Sequence, residues 1–280
     1  MHDYTKSSNP MIAQIKQILP RCDVQNPIAE WMIGGAHDII RRMDDGRFER
    51  SRSLVGASAF KRLKTVHVAI FGVGGVGGWC AEALLRTGVR HITIVDDDTV
   101  AESNTNRQRQ ALPSTIGRPK VEVLKEMLLE IIPDATITAI PKRYTPDSSE
   151  AFEKLLSCCD FVVDAIDSVD CKAHLIQRCT AGTAGRPVEI FSSLGAAFRI
   201  DTTKVRTAPF HKIAGDGLAR ALRGKYKKAK IPLPKHMCAY SEELPANPPK
   251  TDKGSIMPVT CAFGMALASL VVKAVCGKPA

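Results

Sequence analysis

The stretch VHVAIFGVGGVGGWCAEALLRTGVRHITIVDDD, residues 66–98, decides the fold of this chain. Residues 66–71 are a short apolar run of the kind buried in a parallel sheet. A turn rich in glycine follows at once, with Gly72, Gly74, Gly75 and Gly77. Residues 79–87 read as an amphipathic helix that stops at Gly88, a residue suited to the position just past a helix C-terminus. Residues 92–95 are a second apolar strand, and Asp96 stands at its end. The order is strand, glycine turn, helix, strand, acid. Glycines let backbone N–H groups approach an anion, and the helix N-terminus adds partial positive charge there. Asp96 lies 24 positions after Gly72, where an acid reaches ribose hydroxyls. The pattern predicts a nucleotide site; the alternative is a turn that only packs helix on strand.

Outside this stretch, composition bounds the answer loosely. A chain of 280 residues, 44% hydrophobic, can bury a sizeable core as one large domain or two small ones. A formal charge of +10 and a pI near 9.2 weakly favour a polyanionic partner. No apolar run reads as long enough to span a bilayer, and the N-terminus lacks the charged start and apolar core of a secretory signal. Nine scattered cysteines with no CxxC pair read as reduced thiols of a cytoplasmic protein, and they offer no zinc site.

Residues 1–46 read as an N-terminal extension with candidate helices at 11–19 and 29–43 and no recognisable chemistry. Arg47, Arg50 and Arg52 follow at near-alternate positions; they are a solvated surface or a phosphate contact. Beyond Asp96 come Asp97 and Asp98, then a polar loop with Asn104, Arg107, Gln108 and Arg109. Lys120 then opens a helix over 121–132, with Pro119 suited to a first turn. An acid for ribose beside cations for phosphates suits a nucleoside triphosphate better than a nicotinamide dinucleotide. Alternatively the cations only neutralise the three aspartates.

Residues 135–140 read as a third strand, 149–156 as a helix, 160–165 as a fourth strand and 187–191 as a fifth. Asp167, just past the fourth strand, would overhang the ligand crevice of an open sheet. It could hold Mg²⁺ through one carboxylate or cap the helix beginning near Val169. After Ser192 the composition shifts. Residues 198–205 read as an antiparallel strand, 231–235 and 244–253 as loops, and 259–275 as an apolar helix too short and interrupted for a membrane span. Between Gly217 and Ser241 there is no acid, but Arg220, Arg223, Lys225, Lys227, Lys228, Lys230 and Lys235 occur there with Tyr226 among them. This basic run, read as loops, is either a solvated face or an RNA-backbone contact with a stacked base.

Taken together, GxGGxG, Asp96 with Asp98, Asn104-Thr105-Asn106-Arg107-Gln108, Lys120 and Asp164-Ala165-Ile166-Asp167-Ser168 resemble the ThiF/MoeB/HesA superfamily of ubiquitin-activating-enzyme-like adenylating enzymes. The likeness covers roughly residues 47–276. The wording TNRQ, DAIDSV, SSLGAAFRIDTTKV, DGLARALR and CAYSEELP is similar to its tRNA threonylcarbamoyladenosine dehydratase branch. Ala196-Ala197 and the segment 225–240 depart from that branch.

The resemblance implies an α/β fold with a doubly wound, mostly parallel Rossmann-like sheet and an antiparallel C-terminal extension. It implies ATP-dependent adenylation of a carboxylate on tRNA, followed by dehydrating cyclisation. It assigns the ribose to Asp96, the phosphates to Arg107 and Lys120, pocket lining to Asn104 and Gln108, and Mg²⁺ to Asp167. It also assigns Arg50 to the phosphates of a partner subunit, hence a homodimer, and leaves room for a sulfur-relay partner. Two other readings use the same pocket: adenylation of a ubiquitin-like sulfur carrier, and a non-catalytic nucleotide-dependent binding module. Cys238 could serve a thiol step in either enzyme or be an ordinary loop thiol.

Overall fold

The computed structural model describes residues 46–182, 186–244 and 254–277. Both candidate helices of the N-terminal extension, and almost all of the loop at 244–253, lie outside these. The chain divides into two compact units, Met1–Gly56 and Ala57–Ala280. In the first unit the described residues include one short helix, α1 (Glu49–Val55), which carries Arg50 and Arg52 on exposed positions.

The second unit opens with α2 (Ala57–Thr65) and then follows the order read from the sequence. Strand β1 (His67–Phe71) leads through the glycine turn into α3 (Gly77–Thr87) and β2 (His91–Val95). Helix α4 (Lys120–Ile131) and β3 (Thr136–Ile140) come next, then a 3-10 turn, α5 (Glu153–Cys158) and β4 (Phe161–Asp164). Helix α6 (Val169–Ala181) and β5 (Glu189–Ser193) complete the parallel part foreseen. The last third holds β6 (Val205–Pro209), α7 (Gly217–Lys228), β7 (Met237–Ser241) and α8 (Met257–Cys276).

The seven strands form one sheet in the order β3-β2-β1-β4-β5-β7-β6. Every neighbouring pair is parallel except β6 with β7. The chain lays β2 and β3 on one side of β1 and β4 on the other. That reversal of winding opens a crevice over the carboxyl ends of β1 and β4, the usual ligand position in open α/β sheets. The central strands β1 and β4 are almost wholly buried, which explains why they read as continuous apolar runs.

Three sequence expectations need correction. The antiparallel strand begins at Val205, not 198, because Asp201 accepts the Thr203 N–H at 2.8 Å and folds 202–204 into a 3-10 turn. The basic run is mainly helix rather than loop. Its N-cap, Asp216, accepts the Ala219 N–H at 2.8 Å, and Ala219, Leu222 and Tyr226 form its buried stripe. The apolar C-terminal helix is longer than expected, at 20 residues, and by length and composition alone could cross a membrane. Half of it is buried in the fold: Val259, Phe263, Leu267 and Val271 are fully covered, and it packs on α2, α3 and the β5–β7–β6 edge.

Candidate active site

Site geometry starts from the glycine turn. Gly72 has φ +85°, and a Cβ there would lie 2.8 Å from the Ala165 carbonyl oxygen. Only glycine lets β1 turn this close to the segment leaving β4. Asp96 then fixes the turn from the side: Oδ2 accepts the Val73 N–H at 2.7 Å and Oδ1 accepts the Asp98 N–H at 2.9 Å. Burial pushes the Asp96 carboxyl above its ordinary pKa, while these two N–H groups and nearby Lys120 pull it back.

The turn, Asp96 and the ends of β1, β2, β3 and β4 enclose a cleft of about 520 Å³. Its walls include Gly72, Gly74, Gly75, Asp96, Asp98, Asn104, Arg107, Gln108, Lys120 and Asp167. Of the nucleotide residues expected from sequence, Gly77 alone is not among them. A Cβ on Gly77 would sit 1.9 Å from the Gly72 carbonyl oxygen, so its role is close packing of α3 on the turn.

Lys120 is buried, and its Nζ lies 2.7 Å from Asp98 Oδ2. The charge-neutralising alternative therefore holds for this lysine in the structure as it stands. Arg107 differs. Its Nη1 donates to the Ser103 carbonyl oxygen and Asn106 Oδ1, both at 2.9 Å, and it pairs with no carboxylate among the described residues. Arg109 turns away to Glu82 at 2.6 Å. Asn104 Oδ1 accepts the Ala101 N–H at 3.1 Å, so this side chain shapes its own loop. Gln108 is buried in the cleft wall, and its Oε1 has no hydrogen-bond partner among the described residues. Asp167 is exposed at the β4 side of the cleft. The N-cap of α6 is Ser168, without a side-chain capping bond, so Asp167 is not the helix cap.

Lys142, Arg143, Tyr144 and Thr260 are among the lining residues that the sequence reading did not single out. The first three follow β3 directly, and the rule that placed Asp96 and Asp167 over the crevice would have found them. Tyr144 is fixed by an edge contact to Phe71, with ring centroids 5.3 Å apart, and by a 3.0 Å hydrogen bond to His174. Thr260 reaches the site from α8, and no local signal announces it. A Cβ on Gly75 would come within 3.2 Å of both Thr260 and Arg107, so the turn is clamped between them. Beneath the cleft, Asp164 and Lys172 form a fully buried pair at 2.7 Å, another feature the sequence reading passed over.

The other candidates are Arg50, the basic run and Cys238. Arg50 belongs to the first compact unit, on α1. Of the basic run, Arg220, Lys225, Lys227, Lys228, Lys230 and Lys235 are exposed. Arg223 is committed inward: it donates to the Phe210 and Ile213 carbonyl oxygens and lies 5.2 Å from the Phe210 ring centroid. Lys225 pairs with Asp170. Cys238 is fully buried on β7 rather than in a loop; burial pushes its thiol pKa up, which disfavours a thiolate. None of the eight described cysteines is in a disulfide.

A cleft with an acid at the end of β2, two cations beyond it and a carboxylate past β4 suits a ligand that carries both a ribose and phosphates. The chain belongs to the ThiF family, which it matches over residues 48–280. It is 38% identical over 185 residues to the tRNA threonylcarbamoyladenosine dehydratase of Bacillus subtilis, covering 66% of this chain and 70% of that one. With the Escherichia coli dehydratase it shares 33% identity over 242 residues, 80% and 87% of the two chains. The crystal structure of the E. coli enzyme with ATP superposes with a TM-score of 0.75 at 34% identity, covering 82% of this chain and 94% of that one. A molybdopterin-synthase adenylyltransferase from Salmonella typhimurium is 34% identical, but over only 139 residues, half of each chain.

Proposed function

We propose that this protein is an ATP-dependent tRNA threonylcarbamoyladenosine dehydratase. The observation that carries the reading is the single cleft that gathers Asp96, Arg107, Lys120 and Asp167 around the glycine turn, in a chain that matches dehydratases over most of its length. The sulfur-carrier reading has support from a half-length similarity only.

The chemistry follows from a weak electrophile. A carboxylate resists attack and has no good leaving group. Attack of the substrate carboxylate oxygen on the α-phosphorus of ATP forms an acyl adenylate and expels pyrophosphate. The neighbouring ureido group then closes a ring on the acyl carbon and AMP leaves, so the nucleoside loses one water overall. This chain's contribution is positional and electrostatic. Asp96 holds the turn and accepts from the ribose. The turn's N–H groups and the start of α3 face the phosphates. Arg107 and Lys120 supply positive charge where pyrophosphate leaves; for Lys120 this means exchanging Asp98 for phosphate oxygens. Gln108 Oε1 accepts a hydrogen bond from the bound nucleotide.

Asp167 fits a Mg²⁺ ion arriving with ATP, as an exposed carboxylate beside phosphate-binding cations. When bound, that ion supplies charge neutralisation on the phosphates. Arg50 acts in the partner subunit's site of a homodimer, and the exposed cations of α7 hold the tRNA backbone.

The test is incubation of the purified protein with ATP, Mg²⁺ and tRNA bearing threonylcarbamoyladenosine, with mass analysis of the nucleosides. The expected product is the modified nucleoside less one water, with AMP and pyrophosphate released in equal amounts. An unchanged nucleoside with ATP intact would overturn the reading.

A further inference from the structure

The loop that follows β5 carries a conformational outlier. Phe198 has φ +61°, in the left-handed region that a bulky side chain rarely occupies. Such a conformation persists only where its surroundings over-determine it. Here they do. The Phe198 N–H donates to the Gly254 carbonyl oxygen at 2.8 Å. The next residue, Arg199, is buried and anchored three ways: to the Gly195 carbonyl oxygen at 2.7 Å, to the Glu243 carbonyl oxygen, and to Asp216 at 2.9 Å. Asp216 is itself buried and also receives the Gly195 N–H at 3.1 Å. Two buried charges therefore hold one strained turn. Phe198 is partly exposed, and no other ring stacks on it among the described residues.

The position of this ring connects it to the cleft. Asp164 at the end of β4 is in register with Ser192 on β5, so the loop after β5 emerges beside the segment that carries Asp167. The same lead-in to α8 that accepts from Phe198 at Gly254 also accepts from Asn106 at Ser255, 2.9 Å. Asn106 in turn receives Arg107, and Thr260, five residues beyond Ser255, lines the cleft. Phe198 does not itself line the cleft, but a connected path through Gly254, Ser255 and Asn106 links its backbone to Arg107, which does. An aromatic ring on this strained, tightly anchored backbone, at the far end of that path and unstacked among the described residues, is a platform for a flat partner. Splayed single-stranded RNA bases are recognised by stacking on such rings.

We propose that Phe198 is a specificity-determining residue that stacks on the purine base of the acceptor nucleoside and so aims its carboxylate at the α-phosphate beside Arg107. This inference rests on the dehydratase reading above. The chemical class it selects is a purine nucleoside unstacked from an RNA loop.

The informative substitution is Phe198→Gly, since glycine adopts φ +61° without strain and cannot stack. It is expected to leave ATP affinity unchanged in calorimetry and to raise the melting temperature. It should raise KM for the modified tRNA about tenfold or more, as loss of one base–aromatic stack does, with kcat little changed. Phe198→Tyr should retain the parental KM, and Phe198→Leu, apolar but not aromatic, should behave as the glycine variant. Dehydration by the parent with a parental KM in Phe198→Gly, or a parental KM in Phe198→Leu, overturns the role of Phe198 alone. Absence of dehydration by the parent overturns the functional reading and this inference with it.

Discussion

Lys172 Nζ lies 2.7 Å from Asp164 Oδ2, and both side chains are completely buried beneath the cleft. Asp164 Oδ1 also receives the Ile166 N–H at 3.1 Å, so this pair sets the turn from which Asp167 projects. Removing one partner leaves an uncompensated charge in the core. Lys172→Met is expected to destabilise the protein by about 3–5 kcal/mol, read as a lower urea midpoint. The Asp164→Asn/Lys172→Met double variant should recover much of that loss. A Lys172→Met protein with parental stability would show that the pair is replaceable.

Lys120 gives the opposite balance of stability and binding. Its partner Asp98 has a side chain 62% exposed, so the pair itself contributes at most about 1 kcal/mol. A charged hydrogen bond to a phosphate is stronger, about 1.5–3 kcal/mol. Lys120→Ala should therefore weaken ATP binding about tenfold to a hundredfold while lowering the denaturation midpoint only slightly. Calorimetry and urea titration on the same sample separate the two effects.

Four exposed cations of the basic run, Arg220, Lys227, Lys228 and Lys230, stand outside any ion pair among the described residues, whereas Arg223 is turned inward and the exposed Lys225 pairs with Asp170. Replacing those four with glutamine should reduce the slope of log affinity for tRNA against log salt by about 3 in all, somewhat under ~1 for each phosphate contact. ATP affinity should not change. An unaltered slope would assign these residues to an ordinary solvated face.

His236 predicts an acid-side loss of stability. Its ring is interior, stacked on Phe210 with centroids 5.6 Å apart and 3.0 Å from Ser192 Oγ, although the residue as a whole is half-buried. Burial, helped by Lys172, holds its pKa down to about 3 from an ordinary 6.5. The unfolded chain takes up this proton first as pH falls. Stability is thus complete above about pH 6.5 and declines between 6.5 and about 3, with a slope approaching ~1.4 kcal/mol per pH unit. His236→Gln should flatten this part of the stability–pH profile whatever its own effect at neutral pH.

The partner-subunit role of Arg50 is tested by complementation. Arg50→Ala and Lys120→Ala proteins should each be inactive alone, and mixing them should restore activity through sites that hold both cations. A mixture shown to exchange subunits but still inactive would remove Arg50 from the shared site.

How much of this was legible depended on whether the information was local. Strands β1, β2 and β4 and the glycine turn were readable because a parallel strand covered on both faces is uniformly apolar and its ligand residues follow immediately. Lys142, Arg143 and Tyr144 carried the same signal after β3. The stripe of α7 was also present, with Ala219, Leu222 and Tyr226 at helical spacing behind an Asp cap, but its density of lysine and arginine obscured it. Strand β7 is a short segment of mixed polarity that becomes a strand because β5 and β6 pair with it. Thr260, the Arg199–Asp216 clamp and the strain at Phe198 are products of distant contacts and had no sequence signature.

The insertion of β7 between β5 and β6 has a consequence for how the chain is made. Strand β6 emerges from the ribosome first but pairs only with β7, and β7 lies beyond the whole of α7. Until residues 237–241 are out, β5 has an open edge and β6 has no place in the sheet. A nascent or truncated chain ending anywhere from 210 to 236 therefore exposes unpaired backbone on an apolar strand, the kind of edge that recruits other chains. Completion of this sheet is a late, long-range event, and chaperone demand during synthesis should be concentrated in the interval between the two strands.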